Sequence, residues 1–497
     1  LLQRKRNGPF RHPLLKLPSR PSGRLFFVFG GWSNHERDFN HVRLTEIKIP
    51  VRRSAGIRSD LKRILMFLRR RSIASLLPMG IAMMPAPALA GGFYLQEQSP
   101  KETGRALSGG AAAADDPSIV YFNPAGMTAL PGVQISTGGV LLSVTARQND
   151  LGTTRTVPGA PGEISVSGGS GGKPFASLIA VPSFHATAQV TDRLWLGVGV
   201  TAPFGLKLDY DEDFFGRYDS LHTELKTYNV QPSAAFSLTE NLSIGGGVDV
   251  QYVKVVLTNA LPNLSPVATD GLARMKGDDL SIGWNAGLFY HTGGTQFGLH
   301  YRSGIKHRIE GLATLSNLQG SLAALNGTSD LVAPLSLPDI ATASVTRRLT
   351  PRARAMVTAR WYNWSVFQTI TIRSGTGTSV KQVRYRDSYS VSAGGEYDVS
   401  ERLTLRAGTM FDRTPTNPQY LTTRVPDGDR VWLSGGATWN LSPSLALNLS
   451  YAHNFIQSVT INRPDHYYAG GAAVTTTTRS RAGGNVDQLA ASVTARF

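Results

Sequence analysis

From Val133 to the last residue, apolar and polar positions alternate with a period of two, the mark of strands whose two faces meet different surroundings. Leu445, Leu447, Leu449 and Tyr451 alternate with Ala446, Asn448, Ser450 and Ala452. Ile244, Gly246, Val248, Val250 and Tyr252 alternate with Gly245, Gly247, Asp249 and Gln251. The final segment sets Leu489, Ala491, Val493, Ala495 and Phe497 on one face. The pattern predicts fourteen strands, at 133–147, 174–189, 195–207, 221–238, 242–257, 279–291, 295–309, 340–348, 353–372, 389–398, 403–411, 430–440, 445–461 and 484–497. Several exceed the ~9–11 residues that cross a bilayer at a tilt, and many exceed the ~5–6 of an ordinary globular strand.

Link length alternates with the strands. Six links are short (190–194, 239–241, 292–294, 349–352, 399–402 and 441–444). Seven are long (148–173, 208–220, 258–278, 310–339, 373–388, 412–429 and 462–483). Fourteen antiparallel strands with both ends on the short-turn side need that number of each. An even strand count with short turns on one side and long loops on the other marks a bacterial outer-membrane barrel. A soluble sandwich or propeller has no reason to sort its links by side. The expected fold is therefore all-β, a 14-stranded antiparallel transmembrane β-barrel over 133–497. Tyr252, Tyr301, Trp361 and Tyr451 fall on the outward parity near strand ends and suit an aromatic girdle.

Composition sharpens this picture. Gly makes up 52 of 497 residues, and charged residues only 17%, against a usual ~25%. A mean hydropathy of −0.13 argues against a helical membrane bundle. With no cysteine there is neither a disulfide framework nor a thiolate metal site. The net charge of +17 suggests a nucleic-acid binder until it is located along the chain. Residues 1–90 carry 18 Lys/Arg against 4 Asp/Glu, and the remaining 407 carry 33 against 30. The basic excess belongs to the leader, so no nucleic-acid partner is expected.

Within that leader, Met66-Phe67-Leu68-Arg69-Arg70-Arg71 precedes an apolar run from Ile73 to Met84 and the small residues Ala88-Leu89-Ala90. This is the order of a secretory signal peptide, 66–90, with Gly91 as the mature terminus. The run is too short, and too broken by Pro78, Pro85 and Pro87, to span a bilayer as a helix. Residues 1–65 are expected to be either an over-extended start or a basic extension.

Residues 91–132 do not alternate. They carry Phe93, Tyr94, Ile119, Tyr121 and Phe122, which need cover, among many small residues. A barrel of this size encloses an open bore, so a plug folded inside it is the economical solution. The stretch Gly91-Gly92-Phe93-Tyr94-Leu95-Gln96-Glu97-Gln98-Ser99, Gly104-Arg105-Ala106-Leu107-Ser108-Gly109 and Asn123-Pro124-Ala125-Gly126 resembles the N-terminal hatch of the FadL/TodX-type outer-membrane transporters of long-chain fatty acids and hydrocarbons. The resemblance continues through Gly216-Arg217-Tyr218, Trp284-Asn285-Ala286-Gly287, Tyr301-Arg302-Ser303 and Pro426-Asp427 to Phe497.

The resemblance implies a hatch-plugged barrel that takes apolar ligands from outside and releases them sideways. The opening is implied at an inward kink of the third strand, touching the hatch motif Asn123, Pro124 and Ala125. That strand here contains Ala202-Pro203-Phe204-Gly205. Pro203 has no N–H for a ladder, and Gly205 tolerates a bend, so local pairing should break there. The resemblance also makes Phe93 a lining residue of an interior ligand pocket. It places first contact in the loops 258–278 and 310–339. The latter spaces Leu312, Leu315, Leu318, Leu322 and Leu325 by three or four, as on one helix face. A fatty-acid ligand needs a cation for its carboxylate. Arg302 and Arg360 lie on the lumen-facing parity and are the candidates.

Catalysis has no constellation here. The histidines of the mature chain (His185, His222, His291, His300, His307, His453 and His466) are scattered, without metal spacing or an evident serine partner. No enzyme and no cofactor are expected. The expected partners are a hydrophobic small molecule, outer-membrane lipid and lipopolysaccharide, and the barrel-assembly machinery through Phe497, for a chain that works as a monomer. Two other readings stay open: an aromatic or alkane hydrocarbon channel of the same fold, and a structural or adhesive barrel without transport.

Overall fold

The structure, a computed structural model, describes residues 91–174 and 178–497. The signal peptide at 66–90 and the stretch 1–65 lie outside the described residues. Fourteen antiparallel strands close into a barrel. The first, Val133–Asp150, pairs with the second, Ile179–Gln189, on one side and with the last, Val474–Arg496, on the other. Closure leaves no sheet edge in the lipid, which a membrane demands of any β-structure. Between them run the third strand (Leu194–Thr201 and Gly205–Asp209), the fourth (His222–Ser237), the fifth (Leu242–Leu261) and the sixth (Gly271–Thr292). The seventh is Thr295–Arg302 with Lys306–Ser316, the eighth Gly327–Ser336 with Ile340–Arg348, and the ninth Ala353–Tyr362 with Thr369–Ser374. The tenth is Gly377–Gln382 with Ser388–Asp398. The eleventh, twelfth and thirteenth are Leu403–Asp412, Arg430–Ser442 and Leu445–Tyr467.

The strands match the alternation, but many run on beyond it. The fifth and sixth are 20 and 22 residues long, about twice what a bilayer needs, so they project outside the membrane. Much of the predicted long-loop sequence is therefore strand. The leucine-rich link 310–339 is the sharpest correction. It is a hairpin of the seventh and eighth strands with one short 3-10 turn, Gly320–Leu325. Leu312 and Leu315 stand three apart on a strand and so point to opposite faces. Leu318 and Leu322 bury themselves beside Leu261 and Ala273. The spacing of three and four arose from a strand, a turn and a second strand laid end to end.

Outward residues are apolar, with Trp284, Tyr301, Trp361, Tyr389 and Tyr451 exposed on the outer face. Tyr252 is half-buried and stacks on Tyr228 at 6.3 Å. Inward residues change character along each strand. Gln134 and Ser136 give way to Val140, Leu142 and Val144 in the first strand, and Asp249 and Gln251 to Val253 in the fifth, all buried.

Candidate functional site

Residues 91–132 lie inside the barrel as short turns: helices Pro100–Thr103 and Ile119–Phe122, and a 3-10 helix Pro124–Ala129. Many of their amides bond to carbonyls within the segment itself, as Thr103 N does to Ser99 O and Asn123 N to Ile119 O, and the wall supplies partners for others. Gly109 N donates to Thr358 Oγ1 at 2.7 Å, and Ala111 N to Ser344 Oγ at 3.1 Å. Gln231 Nε2 donates to the Val120 carbonyl at 2.6 Å. Gly245 lets the wall come this close, because a Cβ there would sit 2.5 Å from Ala125 N.

Asn123 caps the 3-10 helix, accepting from Ala125 N at 3.2 Å. Its Nδ2 donates to the carbonyls of Ala111 (2.8 Å) and Leu288 (2.9 Å). The Asn123–Pro124–Ala125 turn thus bonds to the sixth strand and lies against Gly245 of the fifth, and the 3-10 helix that it begins also touches the third and fourth strands. The segment that holds the kink is Phe93–Gln98, which the sequence reading did not assign to it. Leu95 N donates to the Pro203 carbonyl at 2.8 Å, and Gly205 N to the Phe93 carbonyl at 2.9 Å. Gln98 brackets Ala202, its Nε2 donating to Ala202 O and its Oε1 accepting from Ala202 N, both at 3.0 Å. Thr227 Oγ1 accepts from Phe204 N at 2.9 Å. Gly205 keeps an ordinary backbone and no left-handed φ; its use at this place is a free N–H turned to the hatch.

The third strand is laddered to the second only over Trp195–Val200, with Phe184 opposite Val200 as the last pair. Beyond the kink, Gly205–Asp209 pairs with the fourth strand alone. Among the described residues, Ile179–Ser183 of the second strand then has no ladder partner on that side.

Above the hatch lies an apolar chamber with a free volume of about 100 Å³. Phe93 and Leu206, the hatch terminus and the residue after the kink, both line it, with Leu225, Val255, Ile309, Leu335, Phe367 and Tyr385 among the rest. Phe93 packs edge-on against Trp364 at 4.7 Å and Phe367 at 5.5 Å. A second cavity opens among the outer loops, lined by Leu261, Leu315, Leu318, Leu325 and Tyr467. The two share Leu257, Met275, Ile370, Ile372, Tyr420 and Arg424.

The arginines divide differently from the sequence expectation. Arg302 is lumenal and buried, but it is consumed by the hatch. It pairs with Asp249, donates to the Tyr121 carbonyl at 2.8 Å and lies over the Tyr121 ring at 4.3 Å. Arg360 donates to the Leu107 carbonyl at 3.2 Å. Neither lines the chamber. Arg424 does. It is buried and bound only to neutral oxygens: Thr223 Oγ1 at 2.7 Å and the carbonyls of Asp219 (2.9 Å) and His222 (3.2 Å). Burial pushes its guanidinium below the ordinary value. No carboxylate among the described residues lies within ion-pairing distance of it. It sits in an irregular link with no periodicity, so nothing in the sequence marked it. Asp219 beside it is occupied by Lys381 and Thr423. Burial raises this carboxyl, but Lys381 and the hydrogen bonds prevail and hold it at about 2. Among the described residues no group of His, Asp or Glu is placed to hold a metal ion.

Fold and site define a class: a membrane-spanning β-barrel, its bore occupied by its own N-terminal segment, with an apolar chamber in the outer half. The chain belongs to the family described as outer membrane protein transport protein (OMPP1/FadL/TodX), whose model matches residues 81–497. Outer membrane protein P1 of Haemophilus influenzae is 28% identical over 412 residues, covering 76% of this chain and 89% of that protein. The long-chain fatty acid transport protein of Escherichia coli is 28% identical over 415 residues, covering 76% and 90%. Among solved structures, a Pseudomonas aeruginosa FadL homologue superposes with a TM-score of 0.73 at 23% identity, covering 82% of this chain and all of that one. The Ralstonia pickettii toluene transporter superposes with a TM-score of 0.58 at 18% identity, covering 81% and 99%. These likenesses establish the fold. The protein is a multi-pass outer-membrane barrel of a transport family.

Proposed function

We propose that the protein takes up long-chain fatty acids or related hydrophobic compounds passively, through the apolar chamber, and releases them sideways at the third-strand kink. The observation that carries this reading is continuity. The outer-loop cavity and the apolar chamber share lining residues, and the chamber reaches Leu206, beside the break in the wall. An apolar chain that leaves there enters lipid without crossing water. Exposing it would cost ~0.8 kcal/mol per methylene, on the order of 10 kcal/mol for ~16 carbons. That magnitude favours a lateral exit over an axial pore.

The test is Pro203→Val with Gly205→Val. The pair restores a ladder donor and β-propensity, so uptake should fall sharply while ligand still loads. Unchanged uptake in a correctly inserted variant would move the exit elsewhere. Mass spectrometry of lipid that co-purifies names the cargo. Sequencing the terminus of outer-membrane material checks Gly91 as the first mature residue. Recognition by the assembly machinery through Phe497 is supported by its exposed ring.

A hydrocarbon cargo is the second reading, favoured by the edge-to-face cluster of Phe93, Phe367 and Tyr385 in the chamber wall. Arg424 separates the two readings, because only a carboxylate has use for it. A structural barrel without transport would leave the chamber without a role.

A further inference from the structure

Beyond residue 90 the chain is nearly neutral, with 33 Lys/Arg against 30 Asp/Glu, yet one part of the outer wall is not. Toward the loop end, the outward positions of the third to sixth strands carry Lys207, Lys226, Lys254, Arg274 and Lys276. The carboxylates on the same face are Asp209, Glu224 and Asp278. Of these, Asp209 is engaged by His222 at 3.1 Å.

The centre of this patch is a pair of like charges. Lys226 of the fourth strand stands directly opposite Lys254 of the fifth in the ladder, an arrangement that is destabilising unless a negative group lies between the two. The protein supplies Glu224, whose Oε2 is 2.8 Å from Lys226 Nζ and whose Oε1 is 3.8 Å from Lys254 Nζ. One carboxylate thus serves two ammonium groups. Lys207 stands opposite Glu224 on the other side and forms no ion pair among the described residues. Asp278, opposite Lys254 on the sixth strand, is beyond ion-pairing distance of it.

Two observations set the height of the pair. Two residues nearer the periplasmic turn, Tyr228 and Tyr252 face each other across the same two strands and stack at 6.3 Å, as girdle aromatics do at the membrane surface. Lys254 also stands twelve residues up the fifth strand from Leu242. At ~3.3 Å per residue and a tilt of ~40°, that is about 30 Å above the turn, just past an apolar band of about 25 Å. Below the tyrosines the outward residues are Val230, Val248 and Ile244, all exposed on the lipid side. The lysines therefore lie at the heads of the outer leaflet, above side chains that face hydrocarbon.

We propose that Lys226 and Lys254, with Lys207, hold the phosphate of a glycolipid of the outer leaflet, its head seated over Tyr228 and Tyr252. A phosphate brings negative charge and several acceptor oxygens to three ammonium groups that share one carboxylate, and hydrogen bonds between charged partners are the strong ones. The site is outside the barrel and does not depend on what the chamber carries. Exposed ion pairs contribute little by themselves, so a merely solvated patch would lose nothing when the lysines are replaced.

The full chain is reconstituted in phosphatidylcholine nanodiscs with diphosphoryl lipid A as the probe, and bound lipid A is counted by native mass spectrometry. Lys226→Gln with Lys254→Gln should weaken binding about tenfold, as for basic groups removed from an anionic surface. Lys226→Arg with Lys254→Arg should keep it. Lipid A stripped of its phosphates should bind weakly, and equally to the parent and the glutamine variant. Added salt should weaken binding of the diphosphoryl form. If the double variant does not assemble, Lys254→Gln alone, which leaves Lys226 and Glu224 paired, should lower binding in the same direction. Equal binding of diphosphoryl lipid A by the parent and an assembled glutamine variant overturns the proposal. So does equal binding of the phosphate-free form by the parent, or displacement by inorganic phosphate at the same concentration, which would make this a site for a free ion.

Discussion

The lower and upper halves of the lumen are built from the same strands and face the same bore, yet they are different solvents. In the lower half the inward residues are Asn229, Gln231, Asp249, Asn285, Arg302, Thr358 and Arg360; in the upper half they are Leu225, Val253, Ile305, Ile309 and Leu335, all buried. The difference follows what each half must hold. The lower half surrounds the hatch, a succession of turns rich in small residues, and the amides and carbonyls that those turns leave over need polar partners from the wall. The upper half holds Phe93–Leu95 and part of the link around Arg424, and it presents mostly hydrocarbon to whatever enters. One inward face thus serves first as a hydrogen-bonding scaffold and then as an apolar vessel, with Tyr94, Tyr121 and Tyr362 at the boundary. The hydroxyls of Tyr94 and Tyr121 meet at 3.2 Å, while the ring of Tyr94 packs on Phe204.

The largest effect should come from breaking the polar half. Asp249 pairs with Arg302 and accepts from Asn229 and Asn285, each at 2.8 Å. Asp249→Leu leaves Arg302 buried without its counter-ion, a loss of about 3–5 kcal/mol. Thermal melting of the detergent-solubilised barrel should fall markedly, and the hatch should become accessible to protease. A melting curve within a degree or two of the parent would mean that the hatch is fastened elsewhere.

Making the upper half resemble the lower should be milder. Leu225→Asn puts an unpartnered amide in the chamber wall, at a cost of about 1–3 kcal/mol. Calorimetry should show weaker binding of a long-chain ligand with the barrel still assembled. Equal affinity would show that the ligand lies away from the fourth strand.

Arg424→Met sharpens the comparison, since Arg424 is a buried cation in the lining of the apolar half. Binding of a fatty acid should weaken about tenfold, as expected for one charge-assisted hydrogen bond, while its methyl ester binds as before. Parallel losses for acid and ester would make Arg424 a structural residue. The smallest effect is expected outside both halves. Arg308 and Glu310 form an exposed ion pair on the outer face at 2.9 Å, and such pairs contribute little. Arg308→Ala should leave melting and uptake where they are.

Different parts of this reading were legible for different reasons. The alternation of Leu445, Leu447, Leu449 and Tyr451 shows a strand because lipid tolerates no other arrangement of a half-apolar face. The parity of Arg302 and Arg360 shows that they point inward. It does not show what they meet, because the Asp249 carboxylate and the carbonyls of Leu107 and Tyr121 come from elements far away in sequence. The leucines of 310–339 misled because a spacing of three or four has the same appearance in a helix and in a broken hairpin. Arg424 has no local signal, since an irregular link has no period to read.

By itself the sequence determined the fold class, the strand count, the turn side and the segment that stands apart from the barrel. Those follow from rules that act on each short stretch separately: the period of a strand, the thickness of a bilayer and the missing N–H of proline. Only the tertiary structure decided which hatch residues hold the kink, which cation lines the chamber, and where the wall lacks a ladder. Each of those depends on register between strands and on coil packed inside them. A hydrogen bond from Leu95 to Pro203, or the end of a ladder at Phe184 and Val200, is a fact about two places at once, and a single stretch of chain cannot state it.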